Sequence, residues 1–194
     1  VMKILQILPQ LNIGGVERGT LDLSKALIQK GHEAFVISGG GNLVNELEKL
    51  GATHFEIPVH IKSLRTLFLA KELSEKILSI DPDIVHVRSR MPAWVNYISF
   101  KRLQNKPALV STFHGLYSFP IYSKVMSFVD HTIAISKTVE SYIIQNYNLE
   151  KKDITIIPRG CDQNIFNNLP INPKEKDDLL NEFPEIKGKK VLTI

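Results

Sequence analysis

Short apolar runs alternate along this chain with longer stretches in which apolar residues recur at helical spacing. Residues 3–8 form one such run, closed by Pro9, and in residues 16–30 Leu21, Leu23, Ala26, Leu27 and Ile28 make one broad apolar face. A short, mostly apolar run of this length is a strand signal, and recurrence every three to four residues is a helix signal. Gly31 stands where a helix end calls for a left-handed residue, and residues 33–37 open a second strand that stops at Gly39, Gly40 and Gly41. Strand, helix and strand close a βαβ unit.

The alternation continues. It predicts helix 43–50, strand 53–57, helix 63–80, strand 84–87 introduced by Asp81-Pro82-Asp83, helix 92–103, strand 108–113, an irregular aromatic segment, strand 131–135, helix 138–147 and strand 154–157. Strands alternating with helices imply a parallel sheet covered on both faces. The expected fold is therefore α/β, doubly wound and Rossmann-like, with a mainly parallel seven-stranded sheet. After Phe166 the run Asn167-Asn168-Leu169-Pro170-Ile171-Asn172-Pro173 reads as a linker; a short helix is expected beyond it, and residues 191–194 look like the opening strand of another unit. The expected division is residues 1–166 for the α/β domain and 167–194 for a linker and the start of a second domain.

Composition narrows the chemistry. With 194 residues and 43% hydrophobic content the chain can bury a sizeable core. The net charge of +4 is scattered, not gathered in an arm, which argues against a nucleic-acid binder and leaves room for nucleoside diphosphates or an anionic membrane surface. A single cysteine, Cys161, has no partner for a disulfide or a metal pair, in keeping with a reducing compartment. The apolar runs are too short to span a bilayer and no leader pattern precedes them, so a cytoplasmic location is expected. Val1 ahead of Met2 reads as a cloning remnant and takes no part in the fold reasoning.

Ligands of open parallel sheets bind beyond the carboxyl ends of the strands. The residues there are Gly14 and Gly15, Gly39 to Gly41, His60, Arg88, Ser89 and Arg90, His114 and Gly115, Ser136 and Lys137, and Arg159, Gly160 and Asp162. Gly14-Gly15 before a helix would let a diphosphate approach unpaired N–H donors at the positive end of the helix dipole; the competing reading is a tight turn that needs positive φ. Neither G-x-G-x-x-G nor G-x-x-x-x-G-K-[ST] is present, which disfavours a nicotinamide or ATP site. His114 could donate to a sugar hydroxyl or carbonyl oxygen, or be a packing histidine; His32, His54, His86 and His131 read as structural. Arg88 and Arg90 could clamp an anion together, with Arg159 similar, and surface ion pairing is the alternative for each. No paired carboxylates mark an acid/base couple.

The order of these pieces resembles glycosyltransferase family four: Lys3-Ile4-Leu5, Gly14-Gly15-Val16-Glu17-Arg18, Gly31-His32-Glu33, Asp83-Ile84-Val85-His86, Thr112-Phe113-His114-Gly115, Ile135-Ser136, and Ile157-Pro158-Arg159-Gly160-Cys161-Asp162 with Phe166. The stretch from Val87 to Trp94 is similar to the lipopolysaccharide and capsule subgroup. The resemblance implies the N-terminal, acceptor-side half of a retaining GT-B transferase using a nucleotide-diphosphate sugar, with no cofactor and no metal. It implies donor phosphate and sugar contacts at Gly14 and Gly15 and a donor-sugar contact at His114. It implies a nucleotide-binding C-terminal half that these residues do not include, so the chain by itself is expected to be inactive. Arg159 and Cys161 stand where the family often has Asn and Val. Two other readings share the layered pattern: a GT-B-fold sugar-nucleotide epimerase, and a non-enzymatic nucleotide- or sugar-binding module.

The segment after His114 is too aromatic for an ordinary loop. Arg90, Tyr117 and Phe119 are the expected acceptor and membrane side, with Leu64, Leu67 and Phe68 dipping into an anionic interface beside Lys62, Arg65 and Lys124; ordinary core packing is the alternative. The partners expected are thus a nucleotide-diphosphate sugar, a glycan or lipid-linked acceptor and an anionic membrane surface, with peripheral binding at the inner membrane face.

Overall fold

The computed structural model describes residues 1–61, 66–118, 120–160, 170 and 172–191. Two compact units divide the chain, 1–159 and 160–194. The first holds one sheet of seven strands, β1 (Lys3–Ile7), β2 (Glu33–Ser38), β3 (Thr53–Glu56), β4 (Ile84–Val87), β5 (Ala108–Phe113), β6 (His131–Ala134) and β7 (Ile154–Ile156), in the order β3-β2-β1-β4-β5-β6-β7. Every neighbouring pair runs parallel. The helices between them are α1 (Gly15–Gln29), α2 (Val44–Lys49), α3 (Thr66–Ile80), α4 (Arg90–Phe100), α5 (Pro120–Ser123) and α6 (Lys137–Tyr147), and the second unit carries α7 (Pro173–Glu182).

Alternation along the strands explains why both faces are covered. Leu5, Ile7, Ile37, Val85, Val87 and Phe113 join one apolar cluster with Leu73 and Ile77 of α3 and Ile143 of α6, while Ala34 and Val36 point the other way, into a second cluster with Leu21 of α1 and Leu47 of α2. On that second face the apolar pattern is broken. Gln6 of β1 lies opposite His86 of β4 in the ladder, both buried, and the amide of Gln6 donates to Thr20 O and Ser24 Oγ of α1. His86 Nε2 meets Thr112 Oγ1 of β5 at 2.7 Å. A buried polar stripe therefore crosses the sheet beneath α1, each group in it holding a partner as burial requires.

The strand order reverses between β1 and β4, because β2 and β3 build outward from β1 in one direction and β4 to β7 in the other. Outside the carboxyl ends of those two strands lies the crevice in which open α/β sheets bind ligands.

Candidate active site

Gly14 caps α1 with no side chain on the helix start, and neither Gly14 (φ 171°) nor Gly15 adopts positive φ. The turn reading of this pair thus fails; what the glycines provide is space. A Cβ on Gly15 would lie 2.6 Å from Arg159 Nη1, and one on Gly14 would collide with the Glu17 carboxylate. The start of α6 shows the contrast: there Ser136 Oγ accepts from Val139 N and occupies the helix end. At α1 the unpaired N–H groups and the positive dipole end face the crevice without a side-chain cap.

Arg88 follows β4 and is 6% exposed. Its Nη1 donates to Gln6 Oε1 at 2.9 Å, extending the polar stripe to the strand end, and its Nη2 comes within 3.1 Å of where a Cβ on Gly19 would stand. Among the described residues no carboxylate forms an ion pair with it, and its Nε has no partner. Burial first, and the Arg159 guanidinium second, lower its pKa to about 10, so it stays cationic at neutral pH. The Glu17 carboxylate acts on this cation without forming an ion pair with it, so the guanidinium, held by an amide, still has N–H groups to offer an anion.

His114 ends the β5 loop entry, half-buried. Arg159 Nη2 donates to its Nδ1 at 3.2 Å while Arg159 Nη1 donates to Gly15 O at 2.6 Å. Its Nε2 is buried and unpartnered among the described residues. Burial, then the Arg88 and Arg159 guanidiniums, hold the imidazole far below its usual range, at about 3, so it is neutral. Gly15, Arg88, His114 and Arg159 are thus brought together from four strand ends.

Arg90 does not join them. It opens α4, two residues earlier than the sequence pattern suggests, because Ser89 takes the extended N-cap conformation (φ −159°) and turns the chain. Its guanidinium carbon sits 5.0 Å from the Tyr117 ring centre and 5.5 Å from that of Tyr122. A shared clamp with Arg88, expected from their spacing, is not what the geometry provides. Tyr117 is half-buried against Phe113, and its carbonyl accepts from Tyr142 Oη. Tyr122 stacks near Trp94, whose Nε1 donates to Tyr122 O at 2.9 Å. Ile121, 90% exposed, and Leu116, 59% exposed, stand beside this aromatic platform. Phe119, Lys62, Leu64 and Arg65, the linker residues 167–169 and 171, Cys161, Asp162 and the expected strand at 192–194 lie outside the described residues, as does the side chain of Leu67.

Of the remaining histidines, His32 Nδ1 accepts from Met2 N, His54 meets Ser38 and His131 meets Thr155, whereas His60 Nδ1 is buried without a partner among the described residues. Sequence reasoning missed Gln6, Glu17 and Tyr122. Gln6 had a signal, being the one amide inside the apolar run of β1; Tyr122 had none beyond its aromatic neighbours.

The model for Glycosyltransferase Family 4 matches residues 13–164, which carry all of these groups except Gln6. The chain belongs to this family. Its fold is that of GT-B transferases. It is similar to a glycosyltransferase from Rickettsia africae (33% identity, 94% of this chain and 49% of that one, TM-score 0.78). It resembles HepE from Anabaena, solved with UDP and glucose (19% identity, 94% and 50%, TM-score 0.75), and the lipopolysaccharide outer core galactosyltransferase WaaB (16% identity, 91% and 50%, TM-score 0.69). A UDP-GlcNAc 2-epimerase from Methanocaldococcus jannaschii is less similar, at a TM-score of 0.60. No curated protein matches the chain. The chain spans about half the length of these structures.

Proposed function

We propose that this family-four domain is the acceptor-side half of a retaining glycosyltransferase that moves a sugar from a nucleoside diphosphate to a glycan or lipid-linked acceptor in cell-surface polysaccharide or lipopolysaccharide synthesis. One observation carries the reading. At the topological switch an uncapped helix start, the buried unpaired Arg88, Arg159 and an unpartnered imidazole nitrogen of neutral His114 converge. Donor phosphates fit at Gly14 and Gly15, and the sugar hydroxyls fit against His114. As the bond from the anomeric carbon to the diphosphate breaks, negative charge grows on the leaving oxygen, where the Arg88 guanidinium and a helix N-terminus stabilise it. Those positive groups do what a divalent cation does in other transferases, which supports turnover without metal or cofactor.

The solved complexes of HepE with UDP and UDP-glucose support a nucleotide-sugar donor, and the likeness to WaaB supports a lipopolysaccharide role. A second, donor-binding half must complete the cleft, so the chain by itself binds nucleotide sugars weakly and transfers nothing. Exposed Ile121 and Leu116 with Lys124 next to them favour a cytoplasmic enzyme resting on the anionic inner membrane face. Among the described residues no helix is long and apolar enough to cross a membrane.

The test is a transfer assay of the full-length protein with a panel of nucleotide sugars, with and without EDTA, the product's anomeric configuration being read by proton NMR. Retention and EDTA resistance are expected. Inversion would remove the retaining assignment, and donor interconversion without transfer would favour an epimerase. Co-sedimentation with anionic vesicles, weakened by salt, tests the membrane location; no pelleting at low salt would sink it.

A further inference from the structure

Arg159 makes two contacts that reach different elements. Nη1 donates to the Gly15 carbonyl in the first turn of α1, and Nη2 faces His114 Nδ1 beyond β5. A guanidinium has five N–H donors and no acceptor. The imidazole nitrogen facing it must therefore offer a lone pair. In a neutral ring with the lone pair on Nδ1, the proton is on Nε2, and Nε2 is the nitrogen that is buried without a partner among the described residues.

We propose that Arg159 is a positioning residue that fixes the tautomer of His114, making Nε2–H an obligate donor into the crevice. The consequence is a rule about the ligand. The atom that meets His114 must accept a hydrogen bond, as a hydroxyl, ring or phosphate oxygen does, and an ammonium group is refused. The same side chain ties the ring to the start of α1, so the orientation of the donor and the position of the phosphate-side helix are set by one residue.

The nitrogen frequencies of the imidazole test this directly. The full-length protein is labelled with 15N-histidine, and its two-bond proton–nitrogen correlations are recorded at neutral pH, with His114→Ala identifying the signals. The wild type is expected to show one tautomer, Nε2–H. Arg159→Met, which keeps the stem and removes every donor, is expected to give averaged nitrogen frequencies from exchange between tautomers. A wild-type ring already averaged, or a single Nε2–H tautomer that persists in Arg159→Met, would overturn the proposal.

The second readout rests on the glycosyltransferase reading. Arg159→Met is expected to lower kcat/KM by about tenfold in the His114 background and to change it little in His114→Ala, since its action passes through the ring. Equal losses in both backgrounds would make Arg159 a direct phosphate ligand instead. The two arms separate the failures: a fixed tautomer without any sugar transfer sinks the function and leaves the positioning role standing.

Discussion

Arg88 and Arg90 are separated by one residue, yet the fold gives them opposite surroundings. Arg88 lies under α1, 6% exposed, joined to Gln6 and facing His114 and Arg159. Arg90 starts a helix and rests on the rings of Tyr117 and Tyr122. In the first case burial with no ion pair among the described residues, and only the nearby charge of Glu17 to offset it, leaves a cation that can take an anion. In the second, a guanidinium lies over two tyrosine rings, an arrangement that in general leaves in-plane N–H groups to meet a flat, bidentate partner. The difference shows how one strand end can serve two substrates. Under the proposed function, the inner arginine would meet donor phosphates and the outer one the acceptor.

Variants that disturb the inner group should cost most. Gly15→Val places a branched side chain where Arg159 Nη1 already stands 2.6 Å from the Cβ position. It displaces Arg159 and fills the space a phosphate needs, and displacement by about 1 Å in such a site costs roughly 100-fold in turnover. The expected result is that loss in kcat/KM with an unchanged circular dichroism spectrum. Near-normal donor affinity would remove the phosphate role from the loop. His114→Ala comes next, with turnover at least about tenfold lower because a hydrogen bond at the reacting centre is gone. Unchanged kinetics would return His114 to packing.

The inner group should also make the fold acid-sensitive. His114 is held at about 3 and buried His86 well below the ordinary 6.5, by burial first and by Arg88 second. Both folded-state values lie below the unfolded one, so the unfolded chain binds more protons between them. The stability they give is complete above about pH 6.5 and is lost as pH falls below it, for His114 down to about 3, at no more than about 1.4 kcal/mol per pH unit for each ring. Urea midpoints measured from about pH 7.5 down to about pH 5 should fall, and His114→Gln should flatten the slope. An equal slope in the variant would show that His114 titrates normally.

The sheet was legible because its physics is local. β1, β2, β4 and β5 are mostly apolar segments of strand length, the longer crossover helices carry their own apolar faces, and parallel order follows from the alternation. Strand-end residues were legible for the same reason, which is how Gly14, Gly15, Arg88, His114 and Arg159 came into one list. Their pairings were not legible. Spacing placed Arg90 with Arg88, but Ser89 turns the chain into α4 and sends Arg90 to aromatic residues some 30 positions away, a contact between elements that no local pattern encodes. Gln6 was passed over because a lone polar residue in an apolar run weakens a strand signal; its meaning appears only when β4 brings Arg88 beside it.

The smallest expected effect lies on the outer side, and it decides whether the comparison holds. If Arg90 meets an oxyanion of the acceptor, Arg90→Ala removes a charge-assisted contact from a half-exposed site, where water screens it, and such contacts are worth about 1 kcal/mol. That corresponds to a rise of roughly fivefold in acceptor KM. Donor KM should move little, because Arg90 rests on the rings of Tyr117 and Tyr122. Arg90→Lys keeps the charge but loses the planar fork that lies against Tyr117 and Tyr122, so it should recover part of the loss and not all of it. A shift in donor KM would join the two arginines in one site. An unchanged acceptor KM would leave Arg90 as a packing partner of the tyrosines, and acceptor recognition would then have to come from elsewhere on the crevice.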